Sequence, residues 1–217
     1  AKAGALTAAD VPDLISDLRK CEPPGCFLLL LMLLFGTRIS ETRLAKWGQF
    51  DLEARTWTIP TENTKSKRQH RMPLTPMAVT LLTRYRAYQQ ANGYRGVYLF
   101  PGASKGKPLS RSAVFDLVVS ASGARWHSHD LRKLARTTWA DLGVEYLAGE
   151  LLLNHALSKL DRTYIHTYAE RQILDALERW HTWLRERGFN VFLTETEPRL
   201  SFYHNSPHAQ WWQGAVT

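Results

Sequence analysis

Cys26-Phe27-Leu28-Leu29-Leu30-Leu31-Met32-Leu33-Leu34-Phe35 runs directly into Gly36-Thr37-Arg38-Ile39-Ser40-Glu41. Ten apolar residues are about half of what a bilayer-spanning helix needs, so the run reads as a fully buried core helix and not a membrane span. It ends near Gly36, and residues 39–47 read as a short helix with Arg38 and Glu41 at or just before its first turn. The arginine thus projects from a helix entry immediately beyond the core. Glu41, three residues on, is spaced to fix the guanidinium plane by a bidentate hydrogen bond. Such pairs also occur on many helix surfaces as weak solvated contacts, and the position after a buried helix sets this one apart.

Working outward, Thr7-Ala8-Ala9-Asp10 has the form of a capping box and opens a helix to about Lys20, broken at residues 21–25 by Pro23 and Pro24. Residues 50–60 and 71–74 have β-branched and aromatic strand character, with a polar hairpin-like loop at 61–70 between them. Further helices start at Pro76, after Ser110 with Val114, Leu117 and Val118 facing inward, at residues 129–142 and at 144–153. Ile173, Leu177, Trp180 and Leu184 mark one face of a closing helix that Gly188 stops. The reading is one compact domain at 1–188, and the aromatic composition of the tail, 189–217, suggests docking. The chain opens at Ala1 in a helix-entry region, as a piece of a longer protein with upstream domains would.

The net charge of +8 over 217 residues is concentrated in the middle, where 36–71, 72–100 and 101–143 carry +4, +3 and +4. A basic block in a chain with eight Trp and eight Tyr is the electrostatic footprint of a folded domain with a polyanionic partner, nucleic acid first. Cys21 and Cys26 are too few and too close for a disulfide framework and lack metal-ligand spacing, which suits a reduced cytosolic chain.

The basic block holds most of the residues that carry chemistry, and His155 and the tyrosines follow it. His129 and Arg132, spaced i and i+3, share one face at a helix start, where backbone amides also favour an anion. Thr64-Lys65-Ser66-Lys67-Arg68-Gln69-His70-Arg71-Met72-Pro73 holds five basic or imidazole side chains. These form a patch that steers a phosphate backbone, or they include a lysine acting as general acid, its pKa lowered by burial beside arginines. Spacing alone leaves Lys65 and Lys67 both open for that role. Tyr164 and Tyr168 follow His155, Tyr164 at nine residues. A tyrosine nucleophile suits a covalent DNA link that a DNA hydroxyl later reverses, since the phosphotyrosine conserves the phosphodiester energy. Guanidiniums suit the negative charge on the equatorial oxygens of such a transition state. The chain shows no P-loop and no acidic cluster for magnesium, so no metal or other cofactor is expected.

Taken together, G-T-R-I-S-E, T-K-S-K-R-Q-H-R-M-P-L, H-D-L-R-K-L-A-R-T-T-W-A-D-L-G-V and L-L-N-H followed by Tyr164 resemble, in order and spacing, the catalytic domain of the tyrosine recombinases, phage and genomic-island integrases in particular. The resemblance covers about residues 6–187. It implies a mainly α fold with a small three-stranded antiparallel β-sheet. It also implies Arg38 and Arg132 as clamps on the scissile phosphate, Lys65 as general acid, His129 as proton acceptor or relay and His155 as a phosphate hydrogen-bonding group. Tyr164 would be the nucleophile of a 3′-phosphotyrosine and Glu41 the support of Arg38, with Lys67, Arg68 and Arg71 on the DNA backbone. Where the family usually has glycine before its third-box histidine, this chain has Asn154, which puts the local turn in question.

The implied activity is site-specific integration or excision of a mobile element, with double-stranded DNA as partner. The resemblance further implies a homo-tetramer on DNA, accessory DNA-bending or directionality proteins, a C-terminal segment exchanged between protomers, and a cytoplasmic, nucleoid-associated setting. The competing readings are a type IB topoisomerase and a DNA-binding module that has kept the fold without the chemistry.

Overall fold

The computed structural model describes residues 6–155 and 168–194. The apolar run forms α2, Gly25–Phe35, buried along nearly its whole length because it has no polar face to offer solvent. Around it lie α1 (Val11–Arg19), α3 (Ile39–Arg43), α4 (Pro76–Ala91), α5 (Arg111–Ser122), α6 (Ser128–Asp141), α7 (Tyr146–Leu152), α8 (Tyr168–Leu184) and α9 (Val191–Thr194). The side sheet has strands β1 (Phe50–Asp51), β2 (Thr56–Ile59) and β3 (His70–Pro73), antiparallel in that order, with Phe50 opposite Trp57 and Ile59 opposite His70. The mainly helical fold with a three-stranded antiparallel sheet is thus as the sequence led us to expect.

The last carbonyls of a helix need partners from elsewhere, and those of α2 decide where its neighbours sit. Trp180 Nε1 donates to Leu33 O at 3.0 Å, His181 Nε2 to Leu34 O at 2.9 Å, and Arg132 Nη1 to Gly36 O at 2.6 Å. α6 and α8 therefore converge on the end of α2 from which Arg38 emerges. His181 is 2% exposed and takes the Thr75 hydroxyl at Nδ1, 2.6 Å away, while that hydroxyl also caps α4 by accepting Ala78 N–H. Asp17 of α1 receives Arg125 at 2.6 and 2.8 Å, tying down the segment that leads into α6.

The structure departs from the expected elements in three places. The helix at 39–47 ends at Arg43, because the backbone of the following residues pairs across the molecule: Leu99 N–H donates to Ala45 O and Trp47 N–H to Val97 O, both at 2.9 Å. Residues 50–60 form two strands, because Asp51 Oδ1 accepts Ala54 N–H at 2.7 Å and Arg55 turns left-handed at φ 53°. Beyond α8 the chain kinks at Gly188, φ 104°, and resumes as α9; Phe189 is fully buried and Val191, Phe192 and Leu193 pack on the core. Described packing thus continues past residue 188.

Candidate active site

Gly36 ends α2 in the left-handed region at φ 61°, where a Cβ would lie 2.9 Å from Trp139 Cη2, so the turn that delivers Arg38 depends on glycine. Thr37 is buried and its hydroxyl meets that of Thr42 at 2.7 Å. Arg38 then caps α3 in extended conformation. Both oxygens of the buried Glu41 are engaged by it, Oε2 accepting the Arg38 N–H at 2.7 Å and Oε1 its Nη1 at 3.0 Å. The guanidinium is therefore held by one carboxylate oxygen and not by the bidentate bond expected from the spacing, because the capping geometry of Arg38 takes the other oxygen for its own backbone N–H.

Arg132 is 4% exposed. Besides Gly36 O, it donates Nη2 to Leu153 O at 2.6 Å and lies 3.3 Å from His155 Nε2. Arg38 Nη1 approaches the same Leu153 carbonyl at 3.5 Å. Burial first, and then the charge of Arg38, pulls the Arg132 pKa down to about 10, which leaves it charged at neutral pH. Three of its five N–H groups are held by Gly36, Leu153 and His155; the other two have no partner among the described residues.

His129 sits one helical turn before Arg132 on α6, exposed. Burial and the neighbouring Lys133, Arg132 and Arg38 lower its pKa, Asp130 opposing them, so it is a neutral imidazole at neutral pH with a lone pair to accept a proton. His155 follows α7 through a turn in which Asn154 adopts φ 51°. Asn154 N–H bonds to Leu151 O and His155 N–H to Glu150 O, the pair of bonds that closes a Schellman motif. Asparagine is the side chain best suited to replace glycine at a left-handed position, so the turn forms with Asn154 in place.

On β3, His70 is 7% exposed and sits 3.1 Å from Leu152 O through Nε2; burial pushes its pKa down to about 4, so it is neutral and donates there. The sequence grouped His70 with a phosphate-steering patch. The structure turns it inward, to hold the end of α7 beside Arg132, Arg38 and Glu41. Lys65, Lys67 and Arg68 are exposed on the β2–β3 loop, which Thr64 closes by accepting Arg68 N–H at 3.2 Å and donating to Arg68 O at 2.8 Å. Arg71 points across to Glu170 of α8 at 3.0 Å in an exposed ion pair.

Hydrogen bonds thus join Arg38, Glu41, Arg132 and His155 at one helix terminus, with His129 on the same helix as Arg132. Among the described residues, Lys65, Lys67 and Arg68 make no side-chain hydrogen bond to that group; Tyr164 lies outside the described residues, as does the side chain of Tyr168. Among the described residues, no cluster of three or more His, Cys, Asp or Glu side chains is placed to hold a metal, and no helix is long and apolar enough to cross a membrane.

Glu150 and Arg136 escaped the sequence reading. Glu150 Oε2 lies 2.7 Å from His155 Nδ1, and Oε1 accepts from Arg136 Nε and Nη2 at 3.4 and 3.3 Å. The available signal was Arg136 four residues after Arg132, on the same face of α6; its partner depends on α7 packing there.

The architecture is that of tyrosine recombinase catalytic domains. It is shared with the integrase from mycobacterium phage Brujita (TM-score 0.59, 21% identity, 83% of this chain and 61% of that one). It is shared also with the XerH site-specific recombinase bound to its difH substrate (TM-score 0.57, 18% identity, 78% and 52%). At these identities the likeness is one of fold. The chain belongs to the phage integrase family, which matches residues 5–171. Curated relatives in Escherichia coli K12 include prophage integrase IntZ, 39% identical over 84 residues, 39% of this chain and 20% of IntZ. Another is the putative protein IntB, 27% identical over 87% of this chain and 52% of its own length. The chain therefore spans from a fifth to about half of these relatives.

Proposed function

We propose that this chain is the catalytic domain of a site-specific integrase, which cleaves and rejoins double-stranded DNA through a 3′-phosphotyrosine at Tyr164. The observation that carries this reading is the meeting of Arg38, Arg132 and His155 at the end of α7. Two adjacent guanidiniums, with Glu41 bonded among the described residues to Arg38 alone, leave N–H donors and positive charge at the site, and a phosphodiester is the anion whose transition state such fixed donors stabilise. In the reaction, Tyr164 gives its proton to His129 and its oxygen bonds to phosphorus. Arg38 and Arg132 hold the non-bridging oxygens, His155 hydrogen-bonds the phosphate, and the bond to the 5′ oxygen breaks as Lys65 protonates it. Rejoining runs the same steps in reverse, so no external energy source enters. Two proteins of the same fold have been solved on DNA, XerH with its difH substrate and the Tn1549 integrase with transposon right end DNA, which supports DNA as partner.

In the same reading, Lys67, Arg68 and Arg71 contact the DNA backbone, residues 1–188 form the catalytic unit and 189–217 an appended segment. Four protomers assemble on DNA in the cytoplasm, with accessory bending or directionality proteins. The test is a search for a denaturation-resistant protein–DNA adduct on bridging-phosphorothiolate duplexes, with the attached residue mapped by mass spectrometry. An adduct at Tyr164, lost in Tyr164→Phe while DNA affinity stays within about threefold, is the expected result. Linkage to another residue overturns the assignment. DNA binding that never becomes covalent favours a binding module.

A further inference from the structure

We infer that Glu150 is a positioning residue for His155, fixing which imidazole nitrogen faces the phosphate site. Arg132 offers only N–H donors, so the 3.3 Å contact to His155 Nε2 requires a lone pair on Nε2. The ring proton is then on Nδ1, where Glu150 Oε2 accepts it at 2.7 Å. The opposite tautomer would set a lone pair against the carboxylate and an N–H against the guanidinium. Spacing explains why a residue five positions earlier can do this. In the Schellman turn the His155 N–H bonds to Glu150 O at 3.0 Å, which brings together two side chains that a continuing helix would hold apart. An apolar contact usually occupies those two positions; here a hydrogen-bonded acid and imidazole do.

Glu150 is itself held from α6 by Arg136, whose guanidinium also lies 5.2 Å above the Tyr146 ring. Among the described residues, the charged groups around His155 are thus Glu150 on α7, Arg132 and Arg136 on α6, and Arg38 at the start of α3, whose Nη1 approaches the neighbouring Leu153 carbonyl. A carboxylate behind an imidazole fixes the tautomer and the orientation of the ring. Nε2 is thereby presented to the site in one orientation: it accepts from Arg132 in the free protein and must carry a second ring proton to donate to a phosphate oxygen, with Glu150 then facing the imidazolium.

Only the kinetic half of the test rests on the recombinase reading. The tautomer half uses nitrogen-15 NMR of the histidine rings in the whole chain, with His155 assigned by its absence in His155→Asn. In alkaline buffer, wild type should show the Nδ1–H form at His155. Glu150→Ala should shift it toward Nε2–H, and Glu150→Gln, whose amide oxygen still accepts, should keep it. On phosphorothiolate DNA, Glu150→Ala should form the adduct at least about tenfold more slowly, the scale of losing a group that orients a histidine, with Glu150→Gln recovering part of the rate. An unchanged tautomer in Glu150→Ala, or wild-type cleavage by it, overturns the inference. If wild type forms no adduct, the recombinase reading fails while the tautomer result still decides the role of Glu150; if Glu150→Ala does not fold, a wild type lacking the Nδ1–H form overturns it instead.

Discussion

Arg132 Nη2 donates to the carbonyl oxygen of Leu153 at 2.6 Å, two residues before His155. The same guanidinium holds Gly36 O, two residues before Arg38. One buried side chain therefore sets the spacing between Arg38 and His155, and a lysine, with its single ammonium, cannot span both carbonyls.

Arg132→Lys is accordingly expected to lose stability as well as cleavage. Leaving one buried carbonyl unsatisfied costs about 1–3 kcal/mol, readable as a lowered urea midpoint. Removal of the donor costs about 3 kcal/mol or more in transition-state stabilisation. Wild-type stability in this variant would show that the two carbonyls find other partners.

The turns flanking the site make opposite predictions. Gly36→Ala forces a side chain into φ 61° against Trp139, costing about 1–2 kcal/mol for the left-handed backbone alone, and it displaces Arg38. Asn154→Gly removes a side chain at φ 51° and should change stability by less than about 1 kcal/mol, whereas Asn154→Val should destabilise. Equal effects of Gly and Val at 154 would contradict the left-handed assignment.

His70 and His181 give the fold a pH dependence of definite sign. Burial lowers both to about 4, so each is neutral when folded, while in the unfolded chain each takes a proton below about pH 6.5. Stability is full above that pH and is lost as pH falls toward about 4, by up to about 3 kcal/mol per group. His181→Gln should flatten this part of the curve in denaturant titrations at a series of pH values. An unchanged slope would remove His181 as a cause.

The exposed loop should separate steering from chemistry. Lys67→Ala should reduce the slope of log affinity against log salt by about 1 and leave leaving-group chemistry alone. Lys65→Ala should cut poorly on ordinary DNA and be rescued by a bridging phosphorothiolate, whose sulfur leaves without a proton. Reversal of the two phenotypes moves the general acid to Lys67.

What the sequence revealed and what it concealed follow from the range of the interactions. The buried α2, the glycine stop and the Arg38–Glu41 bond depend on residues a few positions apart, and spacing displayed them. His70 looked like one more member of a basic loop, because its inward orientation is set by Leu152, 82 residues away. Glu150 stayed hidden because its meaning depends on two events at once, the left-handed turn at Asn154 and the packing of α7 on Arg136. The early end of α3 likewise reflects pairing with residues 97–99 that no local pattern announces.

The carbonyls at the end of α2 have a consequence for heat. Arg132, Trp180 and His181 are fastened to the backbone of the most deeply buried helix, so the arginine site cannot loosen without opening the part of the molecule whose amides should exchange most slowly with solvent. Thermal inactivation should then coincide with global unfolding instead of preceding it, leaving no temperature range in which the protein is folded but the Arg38–Arg132 arrangement is lost.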